Sequence, residues 1–309
     1  MSLVLALGFF DGVHLGHGAL LSRTVQVAHA NGWESAAMTF DRSPGKDGHL
    51  LTSVEDRVRL IRSLYGIDRV FVVPFTDEFR HESWSQFLDD LIEKYETKHV
   101  VCGWDYRFGF RGEGDADKLR EYTAAHGVGC DVISKLRLNN ITVSSTFLKT
   151  LVKAGDMAAA RRYFGHPYTL SGVVQPGRHL GHTLGFPTAN LIPIPELVLP
   201  AHGVYAVRGT VDGRSWNGVC NIGTRPTVNG RGVTVETWLD GFSGDLYGRT
   251  LAIDFYCYLR PEHKFASVEE LKEEIFRNQK QAAAWFAAHR QSNSGYTILT
   301  DSQQRSVFE

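Results

Sequence analysis

The sequence predicts two domains in tandem, a parallel α/β sheet followed by an antiparallel all-β domain closed by one helix. Three observations carry this. Up to about residue 165, short apolar runs alternate with helical patterns, as in a parallel sheet covered by helices on both faces. Gly165-His166-Pro167 then breaks the pattern. From 168 to 260, short alternating runs are separated by turn signals such as Asp212-Gly213, the pattern of a barrel or a sandwich. A length of 309 residues suits two domains of roughly 150 better than one. The expected bounds are 1–165, 166–290 and a polar, patternless tail over 291–309.

In the first half, strands are expected at 3–9, 35–40, 69–74, 99–102 and 130–133, with helices at 16–30, 54–65, 83–95 and 117–126. Gly66 and Gly127 supply stop signals, and Ser53 with Asp56 resembles a capping box. After the polar stretch 134–140, the segment VSSTFLKTLVKAGDMAAARRYFG reads as two short helices parted by Gly155-Asp156. The second half offers strands at 168–174, 204–211, 216–222, 233–239 and 251–259. A closing helix is capped by Ser267 and Glu270, with an apolar stripe of Val268, Leu271, Ile275 and Ala282 expected to cover a barrel opening.

Charge and composition narrow the function. Lys plus Arg (33) nearly balances Asp plus Glu (34), so no basic field draws the protein to nucleic acid or to an anionic membrane. An anionic ligand must be held by local groups. The start MSLVLALGFFDG has no basic residue before its short apolar run and meets Asp11 at once, which fits a first strand better than a signal peptide or a spanning helix. Cys102, Cys130, Cys220 and Cys257 lack any CxxC or metal-like spacing and read as reduced core residues of a cytoplasmic protein.

The chemistry concentrates in a few stretches. GFFDGVHLGH (8–17) follows the first strand and opens a helix, so backbone amides of a helix N-terminus meet the sheet edge at an anion site. His14 and His17, three apart, can point to one side and donate to oxygens there. A metal clip would need further ligands that the surrounding sequence does not offer, and a plain turn would not require Gly, Asp, Gly, His, Gly and His together. Neither GxGxxG nor a P-loop is present. By themselves Ser144, Ser145 and Thr146 read as a helix cap, and 101–115 as a solvated glycine-rich loop. In GRHLGHTLGFPTANL (177–191), Gly177, Gly181 and Gly185 allow close approach to phosphates, and the Thr188 hydroxyl and Asn190 amide oxygen suit a hard cation, with a structural turn as the rival. Glu236, on an expected strand, could be only an edge carboxylate.

Taken together, the motifs resemble those of bacterial bifunctional riboflavin kinase/FAD synthetases. GFFDGVHLGH is similar to their HxGH nucleotidyltransferase signature, VCGWDYRFGFRGEGD to their flavin and nucleotide loop, and VSSTFLK to their ISSTxIR motif. GRHLGHTLGFPTAN resembles the kinase motif GxxxGxxxGFPTAN, and PAHGVYAV, NIGTRPTV, VETWL, LYGR and LRPEHKF follow in family order. The resemblance implies a Rossmann-like nucleotidyltransferase domain, then a riboflavin kinase β-barrel. It implies phosphorylation of riboflavin to FMN, then adenylyl transfer from ATP to give FAD.

The residue roles follow from that resemblance. Gly8, Phe10, Asp11, His14, Gly16, His17, Ser144, Ser145, Thr146 and Lys149 would hold the ATP phosphates for adenylyl transfer. Asp105, Arg107, Phe108 and Arg111 would serve the flavin and nucleotide. Gly177, Gly181, Gly185, Thr188 and Asn190 would bind Mg-ATP for the kinase, with Mg²⁺ at Thr188 and Asn190 and Glu236 as general base. ATP, riboflavin and FMN are the expected small-molecule partners, and weak self-association is compatible with the sequence. Lys149 for Arg, TFDRSP for TFDPHP, Trp104 for a polar residue and His182 for Arg depart from the pattern. They keep two rivals in view, a kinase with a weakened adenylyltransferase domain and a non-catalytic flavin-binding regulator.

Overall fold

The computed structural model describes residues 2–45, 48–176, 188–227 and 230–289. The chain forms two compact units that meet in sequence at Ser145 and Thr146. Strands β1 (Leu3–Leu7), β2 (Glu34–Phe40), β3 (Arg69–Val73), β4 (Thr97–Gly103) and β5 (Gly129–Ile133) make a parallel sheet in the order β3-β2-β1-β4-β5. β1 is central and covered on both faces, which is why all five of its residues are buried and its sequence is a continuous apolar run.

Helices α1 (Leu15–Asn31), α2 (Val54–Tyr65), α3 (Asp77–His81), α4 (Trp84–Glu93) and α5 (Ala116–Ala125) connect the strands. Their ends obey local chemistry. The Ser53 hydroxyl accepts from the Asp56 amide at the start of α2, and Gly32 and Gly66 close α1 and α2 at φ 66° and 67°. α3 was not expected: its five residues, none of them buried, are too few to show a period. Leu5, Met38, Leu88, Leu91, Val100 and Leu119 fill the core on one face of the sheet, each burial contributing about 1.5–3 kcal/mol. A hairpin of β6 (Arg137–Leu138) and β7 (Ile141–Thr142) turns through Asn139 and Asn140, both at positive φ, as a two-residue turn demands.

The strand order reverses between β1 and β4, making the crevice above their carboxyl ends the expected ligand position. The loops leaving β1 and β4 are those that carry GFFDGVHLGH and the glycine-rich stretch.

The second unit begins at Thr146, within α6 (Ser145–Ala154), and continues with α7 (Met157–Phe164). Strands β8 (Tyr168–Gln175), β9 (Ala189–Leu191), β10 (Gly203–Val211), β11 (Arg214–Thr227), β12 (Gly230–Leu239) and β13 (Thr250–Arg260) close into an antiparallel barrel, β10-β11-β12-β9-β8-β13. Barrel, not sandwich, is therefore the outcome. Tyr205, Val207, Cys220, Ile222, Val235, Leu251, Ile253 and Phe255 fill its interior at 0–1 % exposure.

The closing helix α8 (Val268–Ala288) starts as expected, with the Ser267 hydroxyl accepting from Glu270 N and the Glu270 carboxylate from Ala266 N. Its buried face differs from the expected stripe. Val268 is exposed, and the buried positions are Glu274, Asn278, Ala282 and Phe286. Two of these are polar because Arg260 reaches them from β13, donating to Asn278 and pairing with Glu274 at 3.1 Å. Ala282 and Phe286 pack on Ala206 and Tyr256, so the helix lies against the barrel's outer wall and not over an opening.

Candidate active sites

The β1–α1 loop is held in a conformation that costs energy. Phe10 and Val13 adopt φ 56° and 41°, a region unfavourable for bulky and β-branched residues. Asp11 over-determines it. Its buried carboxylate accepts from Leu51 N (2.8 Å) and Thr52 N (3.1 Å), the Thr52 hydroxyl accepts from Gly12 N, and Asp11 O accepts from the Ser145 hydroxyl at 2.9 Å. The glycines make room: a Cβ on Gly8 would press on the Phe10 ring, and one on Gly16 would lie 3.1 Å from the His14 ring.

The two histidines converge as the spacing predicts. His14 caps α1, and its Nδ1 accepts from His17 N at 3.2 Å. With Nδ1 accepting, Nε2 is the ring nitrogen of His14 left to donate. The rings stack at 3.6 Å and 14°, and Phe10 meets His17 edge-on. Burial, followed by the nearby His14 and Arg57, holds His17 well below the ordinary imidazole pKa, so it is neutral at pH 7. Its buried Nδ1 has no hydrogen-bond partner among the described residues. A pair of imidazoles at a helix N-terminus suits anions, and no cluster of three or more His, Cys, Asp or Glu suited to a metal occurs among the described residues.

The hydroxyl of Ser145, the last residue of the first unit, donates to Asp11 O on the β1–α1 loop. Ser144 precedes it. Thr146 and Lys149 follow in α6, within the second unit.

The loop after β4 docks onto the α3–α4 joint. Phe110 N donates to Glu82 O at 2.7 Å, His81 stacks on Phe110, and Gly109, at φ 72°, lies where a Cβ would strike the Trp84 backbone. Asp105 and Arg107 are exposed, with Arg107 paired to Asp115 at 3.4 Å; Arg111 is exposed and lies over the Phe110 ring. Phe108 is turned inward at 6 % exposure against Phe87, so it anchors the loop instead of presenting a ring.

On the barrel, strand register assembles what lies far apart in sequence. Asn190 on β9 pairs with Glu236 on β12, Glu236 with Asn221 on β11, and Asn190 with Gln175 on β8. Their chain neighbours Val174, Ala189, Leu191, Cys220, Ile222, Val235 and Thr237 are buried, so this polar row faces outward. Asn221 was not singled out from the sequence, although its place between two apolar residues marked it as outward-facing. Glu262 joins the same wall, where a Cβ on Gly223 would collide with its carboxylate. Thr188 directly precedes β9; Gly177, Gly181, Gly185 and His182 lie outside the described residues. Farther along this face, a cavity of about 390 Å³ opens between the wall and α8, lined by Arg208, Asn217, Trp238, Asp240, Gln279 and Phe286. Gln279 Nε2 is buried and has no hydrogen-bond partner among the described residues.

Comparison with known proteins identifies the family. The FAD synthetase family model matches residues 1–147, and the riboflavin kinase model matches 164–286. The bifunctional riboflavin kinase/FMN adenylyltransferase of Bacillus subtilis is 35 % identical over 92 % of each chain. That of Pseudomonas fluorescens is 36 % identical over 93 % of this chain and 94 % of its own. This chain belongs to the bifunctional riboflavin kinase/FMN adenylyltransferases. The Escherichia coli K12 member of that family is 35 % identical over 92 % of each chain. The crystal structure of a Streptococcus pneumoniae protein described as a macrolide-efflux protein superposes with a TM-score of 0.81 and 26 % identity, over 92 % of this chain and 94 % of that one. No helix among the described residues here is long and apolar enough to cross a membrane. Because relatives named for both activities align along both units, the bifunctional reading stands above the kinase-only and regulator readings.

Proposed function

We propose that this bifunctional riboflavin kinase/FMN adenylyltransferase makes FAD from riboflavin in two ATP-dependent steps, the kinase residues lying on the barrel wall and the adenylyl-transfer residues at the β1–α1 loop. The observation that carries this division is the outward row Asn190–Glu236–Asn221, which sets an acid–base group beside an amide suited to a cation, while the β1–α1 loop offers imidazoles and helix amides, its carboxylate Asp11 being engaged by Leu51 N and Thr52 N.

In the kinase step, Glu236 takes the proton of the riboflavin 5′-hydroxyl as its oxygen attacks the γ-phosphorus of ATP, and ADP leaves. The Thr188 hydroxyl and Asn190 amide oxygen, as hard oxygen donors, would hold Mg²⁺ beside the substrate phosphates, where it would offset phosphate charge. The riboflavin ring fits the cavity beside α8. Trp238 lies two residues beyond Glu236 on β12, about 7 Å along the strand, comparable with the span of the ribityl chain. Gln279 offers its amide to the ring's polar edge.

In the adenylyl-transfer step, the FMN phosphate is already an anion, so no base is needed. Its oxygen attacks the α-phosphorus of ATP and pyrophosphate leaves. Catalysis consists of alignment and of donors placed where charge accumulates, supplied by His14, His17 and the amides of α1. Asp105, Arg107 and Arg111 lie on the loop across the crevice, and the roles of Thr146 and Lys149 rest on the motif. Domain bounds near 165 and 290 accompany this reading, as does a cytoplasmic location. Chromatography of purified protein with riboflavin and Mg-ATP tests it: FMN must appear first and be converted to FAD. A reaction that stops at FMN would leave only the kinase.

A further inference from the structure

Arg57, on the first turn of α2, is a fully buried cation that neither step uses. It is 0 % exposed, and the carboxylates Asp11 and Glu55 only partly offset the effect of that burial. Its Nη1 donates to Phe40 O and the Thr39 hydroxyl, both at 2.9 Å, and to Phe9 O at 3.2 Å. Thr39 in turn donates to Phe9 O at 2.8 Å, and the guanidinium stacks 4.2 Å from the Phe9 ring. Nε and Nη2 have no hydrogen-bond partner among the described residues. Burying an incompletely satisfied guanidinium costs several kcal/mol, and burial draws its pKa down to about 10. Folding alone would be served more cheaply by an apolar side chain.

What the cation touches suggests its use. Phe9 O and Phe40 O mark where β1 and β2 end, and the next residue after Phe9 enters the strained turn at Phe10. The far side of that turn is held by Asp11 through Leu51 and Thr52, two residues before α2. Segment 51–57 thus grips the loop from both sides.

We infer that Arg57 is a positioning residue for adenylyl transfer, locking the departing ends of β1 and β2 together so that the loop presents His14 and His17 in one arrangement. This rests on the assignment of those histidines to ATP phosphates. The charge also bears on His17, whose pKa Arg57 helps to hold down; Asp11 and Glu55 act on Arg57 itself.

The test uses the full chain, with riboflavin phosphorylation as an internal control. R57K keeps the charge but not the fork that reaches several acceptors, and T39V removes one hydroxyl from the lock. R57K should lower kcat for FAD formation from FMN and Mg-ATP at least tenfold, with KM for ATP changed less than threefold and riboflavin phosphorylation unchanged. T39V should act in the same direction by a few-fold. In R57Q, loss of the cation should move the acidic limb of the adenylyl-transfer profile to higher pH, a shift that a merely structural role would not produce. If R57Q does not fold, R57K and T39V decide. An R57K kcat within twofold of the parent, or an effect confined to KM for ATP, overturns the inference. Unimpaired FAD formation by H14A/H17A would instead overturn the phosphate-site assignment.

Discussion

The two proposed sites are built in different ways for the same cosubstrate. At the parallel sheet, the decisive residues lie within ten positions of one another, and the fold's task is to hold a strained loop with His14 and His17 stacked at 3.6 Å. On the barrel, Asn190, Asn221 and Glu236 are distant in sequence and become neighbours only through register. The difference follows the nucleophiles. A phosphate needs alignment and donors, which a helix N-terminus supplies locally; an alcohol needs a base beside its phosphate-binding groups, which neighbouring strands supply side by side.

The comparison breaks most readily at Glu236. Glu236→Ala should reduce FMN formation by about 10²–10⁴-fold, the usual worth of general-base catalysis, while FAD formation from supplied FMN is unchanged. Equal loss of both rates in a folded protein would refute separate sites. The converse change, His14→Ala with His17→Ala, should lower FAD formation by about 10²–10³-fold and spare FMN formation, as read by the same chromatography.

A smaller effect sharpens the account of the loop after β4. Gly109→Ala meets both the positive φ and the Trp84 backbone, so displacement of the docked loop should raise KM for FMN about tenfold, equivalent to about 1.4 kcal/mol. An unchanged KM would place flavin recognition elsewhere.

The smallest effect concerns stability. Hydrogen bonds from His99 and Arg23 hold the Asp131 carboxyl at about 2, below its ordinary value of 3.8. The folded state therefore gains stability above pH 3.8 and loses it as pH falls towards 2. Discounted for the partly exposed Arg23, the gain is about 1–2 kcal/mol. Asp131→Asn should lower the thermal midpoint of the first unit by a few degrees at pH 7 and by less near pH 2. A pH-independent difference would show that packing, not charge, is responsible.

Much of this was legible in the residues alone. β1 declared itself as an unbroken apolar run, α2 by its Ser53 cap and Gly66 stop, and the histidine pair by its spacing after a strand. β9, three residues long, gave no period to read, and the polar Glu274 and Asn278 on the buried face of α8 could not be anticipated without the Arg260 that meets them. That Phe108 packs on Phe87 was equally hidden, because a glycine-rich loop gives no sign of which ring turns inward.

By itself the sequence determined the order of the two domains, the strand-to-helix turn with its two histidines, and the chemistry available at Thr188, Asn190 and Glu236. These depend on local periodicity, capping and backbone freedom, which act over a few residues. Only the tertiary structure decided that Asn221 stands beside Glu236, that Ser145 closes the loop at Asp11, and that Arg57 lies buried beneath Phe9. Each of these is a contact between segments that are remote along the chain, set by register and by the core and not by any residue's own preference.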